Sequence, residues 1–148
     1  MFPREKLPGL SATPFFAALD AATFNELLTE LKLIRLSRGE ILFRAGDAGD
    51  SMFVLLSGRL RVSIDGNGGG IETIRELSRG DSVGELALLT GETRSATIRA
   101  IRDTELAMLS RVAFERAIRS DSTLIRQIAA QVAARQRHGI DAASGRGN

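Results

Sequence analysis

Apolar positions along this chain recur first at helical spacing, then at strand spacing, then at helical spacing again. Pro14 suits a first helical turn, with Ser11 or Thr13 to cap it, and Phe15, Phe16 and Leu19 follow. Phe24, Leu27, Leu28 and Leu31 share one face of a helix predicted from about Ala21 to Leu31, which reads as a packing helix. Residues 1–12 contain Pro3, Pro8 and Gly9 and read as an irregular lead-in.

After Lys32 the texture changes. Short apolar segments are separated by turns at Ser37-Arg38-Gly39, Ala45 to Asp50, Ser57-Gly58, Asp65 to Gly70 and Ser78 to Asp81. Short strands between Gly, Asp and Ser turns, with no helix-length segment between them, predict a β sandwich or roll rather than an α/β fold. Leu60, Val62 and Ile64 alternate with Arg59, Arg61 and Ser63, a half-buried strand. Met52 to Leu56 is apolar at every position, which suits a central strand. Ile71, Ile74 and Leu77 fit a two-residue period poorly. Ala96-Ile98-Ala100 and Leu106-Met108 form the last two strands, joined by a turn at Arg102-Asp103.

From Arg111 helical spacing returns. Val112, Phe114, Ala117 and Ile118 predict a short helix ending near Arg119. Asp121 or Ser122 can cap a longer one through Leu124, Ile125, Ile128, Ala129 and Val132 to about Arg137. Residues 138–148 read as a flexible tail or truncated linker.

Composition narrows the chemistry. A length of 148 residues suits one domain. Eighteen of the twenty basic residues are Arg, but the net charge is only +2 and they are scattered, so no nucleic-acid stripe is formed. With no Cys and a single histidine, His138, thiolate nucleophiles, iron–sulfur clusters and histidine-rich metal centres are excluded, and no metal site is expected. No catalytic constellation is apparent, so the chain is not read as an enzyme. No apolar run is long enough to span a bilayer and no signal-peptide core is present, so a cytoplasmic location is expected. Gly66 to Gly70 lacks a Lys-Ser/Thr signature and a following helix, so it reads as a hairpin loop rather than a phosphate loop.

The stretch Val83 to Thr97 carries the most chemistry. Gly84 opens a short apolar helical turn, Glu85 follows, and after a second turn Arg94 enters a strand. Backbone N–H groups at a helix start favour an anion, and Arg94 supplies a planar fork for a phosphate. Glu85 would repel that anion, so it makes sense as an acceptor for another part of the ligand, such as a ribose hydroxyl. Phosphate plus sugar hydroxyl implies a nucleotide.

With Gly84-Glu85-Leu86-Ala87-Leu88 followed by Arg94-Ser95-Ala96-Thr97, the chain resembles the cyclic nucleotide-binding domains of cyclic-nucleotide-dependent kinases, channels and catabolite-activator-type regulators. Arg38-Gly39-Glu40, Gly46-Asp47 with Asp50-Ser51, and Leu56 to Leu60 support the likeness, which covers residues 13–137. The resemblance implies a mainly β fold with flanking helices. That fold is a double-stranded β-helix, or jelly-roll-like β-roll, with N-terminal helices, a short phosphate-cassette helix and two C-terminal helices. It implies that Arg94 holds the cyclic phosphate and that Glu85 accepts from the ribose 2′-OH. It further implies that Gly84 lets the backbone approach the sugar, while Leu86, Ala87 and Ala96 offer N–H groups. Ser95, next to the arginine, leaves the choice between cAMP and cGMP open, with cAMP favoured; no cofactor beyond such a ligand is implied.

The implied role is a regulatory module whose C-terminal helices close on the nucleotide, hinged near Ser110–Asp121, to control an attached or associated effector. The alternative is the truncated sensor part of a larger enzyme or of a catabolite-activator-type transcription regulator. Leu86 to Thr97 followed by Ile101 to Leu106 is also similar to sensor segments of patatin-like phospholipases of the neuropathy-target-esterase type. No recognition helix follows the long helix, so direct DNA binding by this chain is not expected. The apolar face of that helix suits either a homodimer or a cover for the roll.

Overall fold

The computed structural model describes residues 2–17, 19–65, 70–84, 88 and 90–120. Its chain begins with a 3₁₀ turn at Arg4–Lys6 and three short helices: α1 (Leu7–Ser11), α2 (Pro14–Ala17) and α3 (Ala21–Leu28). Eight strands follow: β1 (Lys32–Leu36), β2 (Ile41–Phe43), β3 (Ser51–Ser57), β4 (Leu60–Asp65), β5 (Ile71–Leu77), β6 (Ser82–Val83), β7 (Thr97–Ala100) and β8 (Thr104–Ser110). A final described helix, α4, spans Arg111–Ser120. The strands form two four-stranded sheets, ordered β1-β8-β3-β6 and β2-β7-β4-β5, in which every pairing is antiparallel. This is the mainly β roll with flanking helices that the sequence predicts. The turn at Arg102-Asp103 carries the chain from one sheet to the other rather than between paired neighbours.

The continuous apolar run of β3 has two destinations. Met52, Val54 and Leu56 enter a cluster with Leu10, Phe16, Leu27, Leu109 and Phe114, on the side of the helices. Phe53 and Leu55 enter a second cluster with Leu60, Val62, Leu77, Ile98 and Leu106, between the sheets. A strand buried on both faces has no polar side to show, hence the missing alternation.

The irregular spacing in β5 is a bulge. Val62 pairs with Arg75 but Ser63 pairs with Thr73, so Ile74 is an extra residue without an opposite number. The insertion puts Leu77 and Ile74, three apart, against the same interior cluster. Three turns share one device. In Ser37–Glu40, Arg44–Asp47 and Ser78–Asp81 the acid at the fourth position accepts the first residue's N–H through its side chain, at 2.6–2.9 Å. Each also closes by a backbone bond at 3.0 Å and has a glycine of positive φ third, as a type II turn requires.

The N-terminal segment corrects one expectation. Residues 1–12 read as an irregular lead-in, yet Arg4–Lys6 and Leu7–Ser11 are helical, with Pro8 in the first turn of α1 where its missing N–H is harmless. Phe2 and Leu10 are buried with β3 and α4 residues. Burial of these two side chains outweighs the weak local propensity. Asp20 caps α3, accepting from Thr23 N–H at 2.7 Å, and the helix ends at Leu28, short of the predicted Leu31. Thr13 Oγ1 points backward, donating to the Leu10 carbonyl at 2.7 Å. The second C-terminal helix, the boundary at 137 and the 138–148 tail lie outside the described residues, as does the loop 66–69 between the paired strands β4 and β5. No helix among the described residues is long and apolar enough to cross a membrane.

Candidate functional site

Arg94 is the one charged side chain among the described residues that is buried, at 5% exposure. Its position is fixed from both ends. The backbone is clasped by the Arg44–Asp47 turn: Arg94 N–H donates to the Asp47 carbonyl, and Gly46 N–H donates to the Arg94 carbonyl, both at 2.8 Å. The guanidinium Nη2 donates to the Ser51 carbonyl at 2.7 Å and to Ser51 Oγ at 3.3 Å, and Nη1 to the Gly84 carbonyl at 3.4 Å. The Phe43 ring lies 4.1 Å from the guanidinium carbon, within cation–π range. These oxygens and the ring orient the guanidinium.

Gly84 is required twice over. Its φ of +89° lies in the left-handed region, and a Cβ there would stand 2.6 Å from Arg94 Nη1 and 2.8 Å from the Ser51 carbonyl. Only a residue without a side chain lets the chain pass the guanidinium this closely. Leu88 N–H reaches back to the Gly84 carbonyl at 3.4 Å, the spacing of a helical turn, and Leu88 is buried with the helix-side cluster. Of the other expected site residues, Ala96 is buried in the roll interior and Ser95 is exposed beside Arg94. Glu85, Leu86 and Ala87 lie outside the described residues.

The structure therefore brings Gly84 and Arg94 together and adds two residues that sequence reasoning missed. Ser51 stood in a supporting motif, but nothing in its spacing ties it to an arginine 43 positions later. Phe43 gave no signal, because a bulge aims it. Ile41 pairs with Arg99 while Phe43 pairs with Ile98, so β2 carries an extra residue, and Leu42 and Phe43 both pack toward the interior.

Beyond the site, β8 runs into α4 without a loop. Ser110 Oγ caps the helix by accepting from Ala113 N–H at 3.2 Å. Arg111 N–H donates to the Asp50 carbonyl at 2.8 Å, and its guanidinium donates to the Gly49 carbonyl. The stretch from Arg44 to Ser51 thus touches Arg94 at both ends and the start of α4 through Gly49 and Asp50 between them. Further along α4, Arg116 pairs with Glu30 just after α3.

A profile of the cyclic nucleotide-binding domain family matches residues 33–121. The chain belongs to the cyclic nucleotide-binding domain family. Among curated proteins, a 111-residue stretch is 38% identical to lysophospholipase NTE1 of Coccidioides immitis, covering 75% of this chain. A 107-residue stretch is 37% identical to the lysophospholipase nte1 of Aspergillus oryzae, covering 72%. In both cases the match spans only 7% of the relative's length. Among solved structures, the Thermus thermophilus catabolite activator protein is similar with a TM-score of 0.76 at 30% identity, over 85% of this chain and 59% of that one. The regulatory domain of Toxoplasma gondii PKA, solved with cAMP, gives 0.71 at 28% identity, over 76% and 43%.

Proposed function

We propose that this domain binds a 3′,5′-cyclic nucleotide, with Arg94 gripping the cyclic phosphate and Glu85 accepting from the ribose 2′-OH. The observation that carries this reading is a buried guanidinium set against Gly84, a glycine of positive φ where a Cβ would stand 2.6 Å from Arg94 Nη1. A bidentate phosphate is the anion that its planar fork suits. Gly84, beside that fork, leaves room for the backbone to approach a ligand, and Leu86, Ala87 and Ala96 supply N–H groups toward it. The cyclic nucleotide named for the Toxoplasma relative supports cAMP as the favoured ligand, with cGMP the competitor.

Binding is proposed to draw the helices after β8 toward the roll, with the hinge at Ser110 and Arg111. The output is an attached effector; the lysophospholipase relatives favour a phospholipase-type effector over a DNA-binding one. The test is calorimetric titration with cAMP and with cGMP, using Arg94→Ala as control. A charge-assisted bond contributes roughly 1.5–3 kcal/mol, so the variant should bind roughly one to two orders of magnitude more weakly. Equal heats from the wild type and the variant would mean that ligand sits elsewhere.

A further inference from the structure

We infer that Phe43 is a positioning residue for the phosphate-binding arginine, holding the Arg94 guanidinium in its binding orientation before any ligand arrives. The inference rests on the cyclic nucleotide reading for its consequence, but not for its geometry. Three observations converge. The ring centroid lies 4.1 Å from the guanidinium carbon. Phe43 is itself braced by Phe53, ring centroids 6.1 Å apart and tilted by 37°, and Phe53 is buried in the roll interior. The β2 bulge, two residues opposite one between Ile41 and Phe43, turns this ring toward the interior rather than outward. Without the bulge, strand alternation would send adjacent Leu42 and Phe43 to opposite faces.

The arrangement divides the labour of holding one side chain. Ser51 and Gly84 accept hydrogen bonds from the Nη1 and Nη2 donors of the guanidinium. The ring covers a face, where no hydrogen bond can act. Arginine carries much rotamer entropy, and a fork ordered in advance loses less of it when an anion binds. A phenylalanine does this without offering a carboxylate, which would compete with the phosphate.

The experiment has two arms on the 148-residue chain. In the first, cAMP and cGMP are titrated into wild type, Phe43→Leu, Phe43→Met and Phe43→Trp, each checked for wild-type thermal unfolding. Leu and Met keep apolar volume and lose the π face; binding should weaken about two- to thirty-fold, while Trp should match or exceed wild type. In an Arg94→Lys background, the Phe43→Leu effect should shrink, since the flat guanidinium that stacks on the ring is gone. A merely structural phenylalanine would weaken both backgrounds equally, and that result, or wild-type affinity in a folded Phe43→Leu, overturns the inference. In the second arm, without ligand, the Arg94 side-chain N–H resonance, assigned by its loss in Arg94→Lys, should be displaced upfield by the ring and should relax downfield in Phe43→Leu. An unmoved resonance also overturns it. If wild type binds neither nucleotide, the nucleotide reading fails, and the second arm alone decides whether Phe43 places Arg94.

Discussion

The two faces of β3 and β8 bury similar side chains and meet different neighbours. On one face, Met52, Val54, Leu56, Ala107 and Leu109 close against Leu10, Phe16, Leu27 and Phe114 of the four helices. On the other, Phe53, Leu55, Leu106 and Met108 close against strands of the second sheet. The helix side buries no charged side chain among the described residues, only the hydroxyls of Thr13 and Thr23 beside its apolar cluster, whereas the roll side carries Phe43 and, over it, the buried Arg94. The difference suggests a division: one face holds the fold together and the other presents a charge, with two strands common to both. Arg94 and α4 meet at the head of β3, where Ser51 accepts from Arg94 and Asp50 accepts from Arg111.

Phe114→Ala breaks the helix side most severely. Phe114 is 2% exposed and among the largest fully buried side chains, so truncation should lower unfolding free energy by about 3–5 kcal/mol in urea denaturation. In the molecules that remain folded, nucleotide affinity should change by less than the stability does, since α4 couples to the site without forming it. Affinity falling in parallel with stability would mean the two faces are one unit. Gly84→Ala makes the reciprocal test on the roll side. Its Cβ would meet Arg94 Nη1 at 2.6 Å in a left-handed backbone, a strain of about 1–3 kcal/mol. Relief by moving Arg94 should reduce cAMP or cGMP binding far more than it lowers the thermal midpoint; a variant that unfolds early but binds normally would reverse the assignment.

The sequence reveals these two faces unevenly, for physical reasons. The uninterrupted run Met52 to Leu56 announces a strand buried on both sides, and Leu60-Val62-Ile64 a strand buried on one. Gly84 and Arg94 are legible as a pair because a helix-opening glycine and a fork-bearing residue have local chemical meanings. What stays hidden is whatever depends on a bulge or on long-range packing. Ile71-Ile74-Leu77 breaks period two because one residue is inserted, and Phe43 reaches Arg94 only through an insertion in β2. The helical order of residues 4–11 is equally illegible: Pro3, Pro8 and Gly9 are poor helix formers, and only the burial of Phe2 and Leu10 against β3 and α4 makes the segment worth ordering. Local propensity is a weak prior where tertiary burial competes with it.

The smallest expected effect concerns how the N-terminal segment is fastened to the strand shared by both faces. Glu105 on β8 accepts from Lys6 Nζ at 2.5 Å and from Arg35 Nε at 3.0 Å. The Lys6 hydrogen bond, helped by Arg35 and opposed by burial, holds its carboxyl below the ordinary value of 4.5. A carboxyl depressed in the folded state stabilises the fold above its unfolded value, and that contribution fades as pH falls from about 4.5 through the folded value. Glu105→Gln should therefore lower stability at pH 7 by at most about 1 kcal/mol, with the gap to wild type closing toward pH 3. Glu76, lowered chiefly by its hydrogen bond from Arg59, titrates in the same window within the second sheet, so the wild-type curve alone does not separate them. The difference curve does, and hydrogen exchange adds the location. Amides of residues 4–11 should lose protection in Glu105→Gln while those of β4 and β5 keep theirs. A gap that persists undiminished at pH 3, or protection lost evenly across both sheets, would mean that Glu105 acts through packing rather than as a charged fastening between Lys6 and β8.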